Sequence, residues 1–286
     1  MNFKTTTFSL ALSLLFASQS WAQQIEVFPS GYLSEPTTYI EKDSIDKPLT
    51  PEIAVLRKTD VGTPTFTLYR AEKPNDKDLT VVVCPGGGYN LLAYNKEGSE
   101  ICELLNANGF DAVLLKYRVP RRANREKHEA PLEDLQRTIS LLRANAQEYG
   151  IRDGQIGVMG FSAGAHLSVM ACCSERSYKA IDQADKANCR PDFCALIYPA
   201  YLSGENFQLS PEVSISEQTP PTFIVQSEDD HNYIDSSIFY YYALKEAKIP
   251  ATMHLYPNGG HGFGARKTGS AAEVWPEEYI KWLKEL

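Results

Sequence analysis

The sequence predicts an α/β fold: a mostly parallel central sheet, helices on both faces, and no large cap domain. Three observations carry that prediction. Short apolar runs alternate along the chain with segments of helical spacing, the pattern that encodes parallel strands joined by crossover helices. Glycine-rich segments stand directly after several of these runs, where open α/β sheets place their ligand sites. Residues 202–220, which join two of the runs, are too few to build a separate cap.

Taken in order, the elements begin with a leader. Lys4 supplies a positive start, Phe8 to Ala17 an apolar stretch, and Ser20-Trp21-Ala22 a small-x-small cleavage pattern. The apolar stretch is far shorter than the ~20 residues of a membrane span. Residues 1–22 therefore read as a removed export signal, and no Cys follows the cleavage point to anchor a lipid. The mature product is expected to be soluble and exported, periplasmic or secreted. Residues 23–286 read as one domain, with 23–62 as an N-terminal extension. Residues 23–78 are rich in Pro and Thr, and pieces such as Thr65-Phe66-Thr67-Leu68-Tyr69 predict leading strands beside an exposed arm.

The repeating pattern starts at Thr80-Val81-Val82-Val83-Cys84, a buried-strand run that leads straight into Pro85-Gly86-Gly87-Gly88-Tyr89. Gly98 to Asn108 reads as helix and Asp111 to Val119 as strand. Pro131 opens a helix in which Leu132, Leu135, Ile139, Leu142 and Ala146 recur at helical spacing, and Gly150 closes it. Gln155 to Met159 is a strand, followed by Gly160-Phe161-Ser162-Ala163-Gly164 and a helical run from Ala165 to Ala171. A polar excursion over 176–193 precedes the strand Ala195 to Tyr198. Thr222 to Gln226 and Thr252 to Tyr256 are the last strands, ending in Ser227-Glu228-Asp229-Asp230 and in Asn258-Gly259-Gly260-His261-Gly262-Phe263-Gly264.

These strand ends carry the chemistry. A serine between glycines at a strand-to-helix turn can be held in a strained conformation with its hydroxyl projecting above the sheet. Ser162 is a weak nucleophile at neutral pH and needs a base. His261 suits that role, since an imidazole takes and returns a proton at working pH. Its second nitrogen needs a carboxylate, which Asp229 or Asp230 can supply. Ser, then Asp, then His is the chain order of the α/β-hydrolase fold. The N–H of Ala163, with one or two from Gly87 and Gly88, would receive a developing oxyanion. No metal or organic cofactor is needed for this chemistry.

Other residues draw plainer readings. His166, four residues after Ser162, reads as a buried structural hydrogen-bonder, His254 as a strand residue, and His128 and His231 as solvated. Tyr89 and Tyr233 flank the site, where stacking on a sugar ring and plain packing are both open readings in a chain with 16 tyrosines; Tyr89 is the candidate substrate contact. Tyr240-Tyr241-Tyr242 falls on the helix after Asp230 and reads as packing.

The stretch Val83 to Tyr89 with Lys96-Glu97-Gly98 resembles the acetylxylan-esterase-like group of α/β-hydrolases. So do Leu115 to Pro120, Asp134 with Arg137, Gly160 to Gly164, and Gly259 to Gly264. The likeness spans roughly Leu79 to Leu286. It departs at Pro85, where esterases of this kind usually have His, at Ala165 in place of Gly, and at Tyr233-Ile234 in place of Val-Pro. The resemblance favours Asp230 over Asp229, because the functional Asp of such esterases is followed, after two intervening residues, by an apolar pair, as Asp230 is by Tyr233-Ile234. It implies a serine carboxylester hydrolase that removes O-acetyl groups from plant cell-wall carbohydrates, xylan or its oligosaccharides. A feruloyl esterase or peptidase-like hydrolase on the same fold is the alternative within enzymes, and an inactive carbohydrate-binding scaffold the alternative outside them.

Composition bounds the partners. A formal charge of −8 argues against nucleic acid and anionic membrane. The oligomeric state is not legible. Six cysteines lack the paired Cys-x-x-Cys spacing of a zinc site. Cys84 and Cys102 fall in apolar runs and read as small core residues. Cys189 and Cys194 close a short loop and are the first candidates for a local bridge, with Cys172 or Cys173 as competing partners.

Overall fold

The structure, a computed structural model, describes residues 24–33, 38–46 and 53–286. The leader expected over residues 1–22 lies outside the described residues. The strands are β1 (Gln24–Glu26), β2 (Lys42–Ile45), β3 (Leu56–Thr59), β4 (Thr65–Tyr69), β5 (Leu79–Cys84), β6 (Leu92–Ala93), β7 (Asp111–Lys116), β8 (Gln155–Phe161), β9 (Cys194–Ile197), β10 (Thr222–Ser227) and β11 (Ala251–Tyr256). The helices are α1 (Glu100–Ala107), α2 (Glu129–Ala144), α3 (Ala146–Tyr149), α4 (Ala163–Cys173), α5 (Ile234–Glu246) and α6 (Trp275–Glu285). Eight strands form the main sheet in the order β1-β4-β7-β5-β8-β9-β10-β11. The first two pair antiparallel, and all from β7 to β11 run parallel. β2, β3 and β6 make a small antiparallel sheet.

Burial explains the apolar runs. Every residue of β5, β7 and β10 is buried, as expected for strands covered on both faces. Alternate side chains of β5 feed two cores. Val82 and Cys84 pack with Leu135 of α2, Leu167 of α4 and Tyr240 of α5. Val81 and Val83 pack with Leu105 of α1 and Trp275 of α6 on the other face. The connection leaving β5 therefore turns to one face and that leaving β8 to the other. Adjacent strands whose exits diverge define the switch point of an open sheet, and the crevice there is where ligands bind. Gly157 in β8 permits close packing, since a Cβ there would lie 2.1 Å from the Phe193 ring.

Several boundaries differ from the sequence reading. A π-turn over Asn95–Ser99 precedes α1. β7 ends at Lys116, and Val119 leaves the sheet to bridge Val61. The expected long helix starts at Glu129, with Pro131 in its first turn, and breaks at Asn145 before α3; Gly150 caps α3 in the left-handed region at φ 61°. The extension is not merely an arm, because β1 lengthens the main sheet and Val27 and Phe28 join its core. Asp134 pairs with Arg118 at 2.8 Å, whereas Arg137 holds Asp182 and Asp185.

All six cysteines are free thiols, which corrects the expected Cys189–Cys194 bridge. Cys194 points into the core beside Cys172, while Cys189 lines a surface hollow with Arg176 and Arg190. The two sulfurs face different surroundings, so the short loop does not bring them together.

Candidate active site

The turn after β8 is built by close backbone approach. A Cβ at Gly160 would lie 2.1 Å from the Gly164 carbonyl oxygen, and one at Gly164 would lie 2.1 Å from that of Cys84. Ser162 sits between them at φ 52°, ψ −115°, a left-handed conformation that a non-glycine residue keeps only where its surroundings enforce it. They do so through its own backbone. The Ser162 N–H donates to Ile197 (3.0 Å), and its carbonyl accepts from Ala165 (3.1 Å) and Ala200 (3.2 Å). The side chain is thereby aimed into a cleft of about 400 Å³ lined by Ser162, His261, Gly87, Gly88, Tyr201 and Tyr233 among others.

His261 reaches Ser162 from the loop after β11. Its Nε2 lies 2.8 Å from the serine Oγ, and its Nδ1 lies 2.7 Å from Asp230 Oδ2. With Nδ1–H donated to the carboxylate, Nε2 presents a lone pair to the serine hydroxyl. Asp230, only 3 % exposed, comes from the loop after β10. Asp229 points elsewhere: it accepts the N–H groups of Gly260 (2.8 Å) and Gly259 (3.3 Å) and so fixes the backbone of the histidine loop. Adjacent acids thus have separate tasks, one on the imidazole and one on the chain that carries it.

Opposite the histidine, Gly87 at φ 138° and Gly88 at φ 65° adopt backbone angles that favour glycine, and both line the cleft. Ala163 is the first residue of α4 and fully buried, with its amide at the positive end of the helix. The glycine loop is anchored by Glu97. Its buried carboxylate accepts the Gly86 N–H at 2.8 Å and the Tyr198 hydroxyl at 2.8 Å, and that hydroxyl in turn accepts the Gly264 N–H at 3.0 Å. Burial pushes the Glu97 carboxyl up, opposed by the bond from Tyr198. Glu97 and Tyr198 together therefore join the glycine loop to the loop bearing His261. Sequence reasoning passed over both residues: Glu97 registered only within a motif, and Tyr198 only as the end of a strand.

Tyr89 is corrected as a substrate contact. It is fully buried, and its hydroxyl lies 2.8 Å from His166 Nδ1, behind the turn rather than in the cleft. The glycine loop turns back after Gly88, which carries Tyr89 inward. Tyr201 and Tyr233 line the cleft instead, with the Tyr233 ring centroid 4.8 Å from that of His261. His128 is likewise buried and not solvated, since it packs on His166 beside Glu212. His128, His166 and Glu212 bring their ligand atoms within 4.8 Å of one another, a set that could hold a metal by donor type. Here Glu212 already receives Lys127 at 2.7 Å and His166 Nε2 at 2.9 Å, while the buried His128 Nδ1 has no hydrogen-bond partner among the described residues.

This combination of sheet, turn and serine–histidine–aspartate geometry defines an α/β-hydrolase-fold protein. Comparison with known proteins narrows the likeness. A family model described as BD-FAE matches residues 66–193. An acetylxylan esterase of Xylanibacter ruminicola is 27 % identical over 256 residues, covering 81 % of this chain and 50 % of that protein. An endo-1,4-beta-xylanase B of Butyrivibrio fibrisolvens is 30 % identical over 204 residues, covering 64 % of this chain and 32 % of that protein. The chain thus spans half or less of the curated relatives it matches. An acetyl ester-xyloside bifunctional hydrolase from Caldicellulosiruptor lactoaceticus superposes with a TM-score of 0.70 at 26 % identity, covering 92 % of this chain and 96 % of that one. An esterase from Thermogutta terrifontis, 20 % identical with a TM-score of 0.64, covers 85 % of this chain and 90 % of its own and shares the fold. Within the α/β-hydrolase superfamily, the chain resembles the acetylxylan-esterase-like group. Among the described residues, no helix is long and apolar enough to cross a membrane.

Proposed function

We propose that this chain is a serine carboxylester hydrolase that removes O-acetyl groups from plant cell-wall carbohydrate, xylan or xylo-oligosaccharides. The observation that carries the reading is the continuous hydrogen-bond chain Asp230–His261–Ser162, ending in a cleft edged by Gly87 and Gly88. The likeness to an acetylxylan esterase and to an acetyl ester-xyloside hydrolase supports the substrate class.

In this mechanism Ser162 Oγ bonds to the acetyl carbonyl carbon as its proton passes to His261 Nε2. The carbonyl oxygen becomes an oxyanion held by the N–H groups of Ala163, Gly87 and Gly88. Asp230 stabilises the imidazolium. Collapse breaks the bond to the sugar oxygen, which leaves with the proton from His261. Water then adds to the acetyl-serine with His261 as base, acetate departs, and the proton returns to Ser162. No step draws on a metal or organic cofactor.

Residues 23–286 act as one domain in this account, exported after removal of 1–22, on an acetylated carbohydrate and not on nucleic acid or membrane. Acetate release from acetylated xylo-oligosaccharides tests the reading. Ferulate release without acetate release would replace it with a feruloyl esterase, and failure of a serine-directed phosphonate to label Ser162 would remove the enzyme altogether.

A further inference from the structure

The cleft has one wall built by the small sheet. Arg57 of β3 pairs in register with Ala93 of β6, and Lys96 follows three residues later in the turn before α1. Both side chains line the cavity that holds Ser162 and His261. The Lys96 stem lies along the histidine loop: a Cβ at Gly264 would be 3.0 Å from Lys96 Cγ and 3.4 Å from Cε.

The carboxylates near this wall are engaged elsewhere. Glu97, the one acid among the described cleft-lining residues, is turned onto Gly86 and Tyr198. Glu100 is held by Arg266 at 2.6 and 2.8 Å. Asp46 binds one terminal nitrogen of Arg57 at 2.5 Å, while Arg57 Nε is buried with no hydrogen-bond partner among the described residues. Lys96 forms no ion pair among the described residues. Burial lowers its pKa, with Glu97 opposing and Arg266 reinforcing the shift. A half-buried ammonium with no paired carboxylate is costly to maintain on a cleft wall unless an incoming anion satisfies it, and Arg57, bound by Asp46 at one terminal nitrogen, keeps its other terminal nitrogen without a partner among the described residues.

We propose that the Lys96–Arg57 wall is a subsite for a carboxylate carried by the saccharide, so that the substrate is an acidic oligosaccharide acetylated close to a uronic-acid branch. Arg57 offers a planar donor and Lys96 a point charge, together suited to a carboxylate. The substrate assignment rests on the deacetylase reading, but the subsite can be measured without turnover. Calorimetric titration with a glucuronic-acid-substituted xylo-oligosaccharide and its neutral counterpart, both lacking acetyl groups, reads it directly.

The acidic ligand is expected to bind at least about tenfold more tightly, the scale of hydrogen bonds to charged groups. That ratio should fall with added salt. Lys96→Gln and Arg57→Gln should each shrink it, and Lys96→Arg should retain it, with thermal melts verifying that each variant folds. Equal affinities in the wild type, or a preference unchanged in both Gln variants, would overturn the subsite. Loss of acetate release from every saccharide beside an intact binding preference would instead overturn the deacetylase reading alone.

Discussion

Replacing Glu97 with Gln tests whether the two halves of the site are held by one buried group. The carboxylate accepts two bonds, from Gly86 N–H and Tyr198 O–H, each 2.8 Å long. An amide has only one oxygen, and its Nε2 offers hydrogens where a donor already points. One of the two donors must then lose its acceptor, at a cost of about 1–3 kcal/mol. Released Gly86 loosens Gly87 and Gly88, the amides proposed to receive the oxyanion. Released Tyr198 loosens Gly264 and the histidine loop, whose His261 ring packs 5.0 Å from the Tyr198 ring. Donors of this kind act mainly in the transition state, so kcat on a small acetyl ester should fall roughly 5- to 150-fold with KM little changed. Steady-state kinetics beside a thermal melt provides the assay. A folded Glu97→Gln protein with kcat within about twofold of wild type would show that Glu97 does not hold the two loops in place.

Further perturbations separate neighbouring roles. Asp230→Asn should lower kcat on the order of 10³–10⁴-fold, because the amide no longer holds the imidazole tautomer. Asp229→Asn, at a carboxylate bonded to the Gly259 and Gly260 amides rather than to the imidazole, should cost far less, and equal losses in steady-state kinetics would contradict this division. The Glu212 carboxyl is held down to about 2, chiefly by its bond from His166. Its folded pKa lies below the unfolded value, so its contribution is present above about pH 4.5 and fades as pH falls toward 2. Glu212→Gln should therefore melt below wild type at pH 7, with the gap narrowing on acidification; a gap constant down to pH 3 would oppose this. With all six cysteines free, reductant should leave the melting temperature unchanged, and the unfolded chain should titrate six thiols without prior reduction.

The fold was legible where period and burial agree. Val81 to Cys84 reads as a strand in any frame because both faces are covered, and Gly160 and Gly164 mark a turn because no side chain fits there. Ser162 and His261 stood out for their glycine neighbours, and the structure brings both together with Asp230. Local sequence does not carry the direction of a side chain leaving a loop. Tyr89, one residue beyond three glycines, turns inward to His166, whereas Tyr201, with no motif around it, lines the cleft. Glu97 and Tyr198 lie 101 positions apart, and only the folded chain, which brings the residue after β9 to the turn before α1, makes them partners. The cysteines failed for a similar reason, since five residues of separation says nothing about which way Cys189 and Cys194 face.

Acetate release from acetylated xylo-oligosaccharides by residues 23–286, measured beside Ser162→Ala, tests the central claim most directly. Release by the wild type, with a loss on the order of 10³-fold or more in the variant, is the expected result. Equal release by both proteins would contradict Ser162 as nucleophile, and no release by the wild type from these oligosaccharides would contradict the assigned substrate.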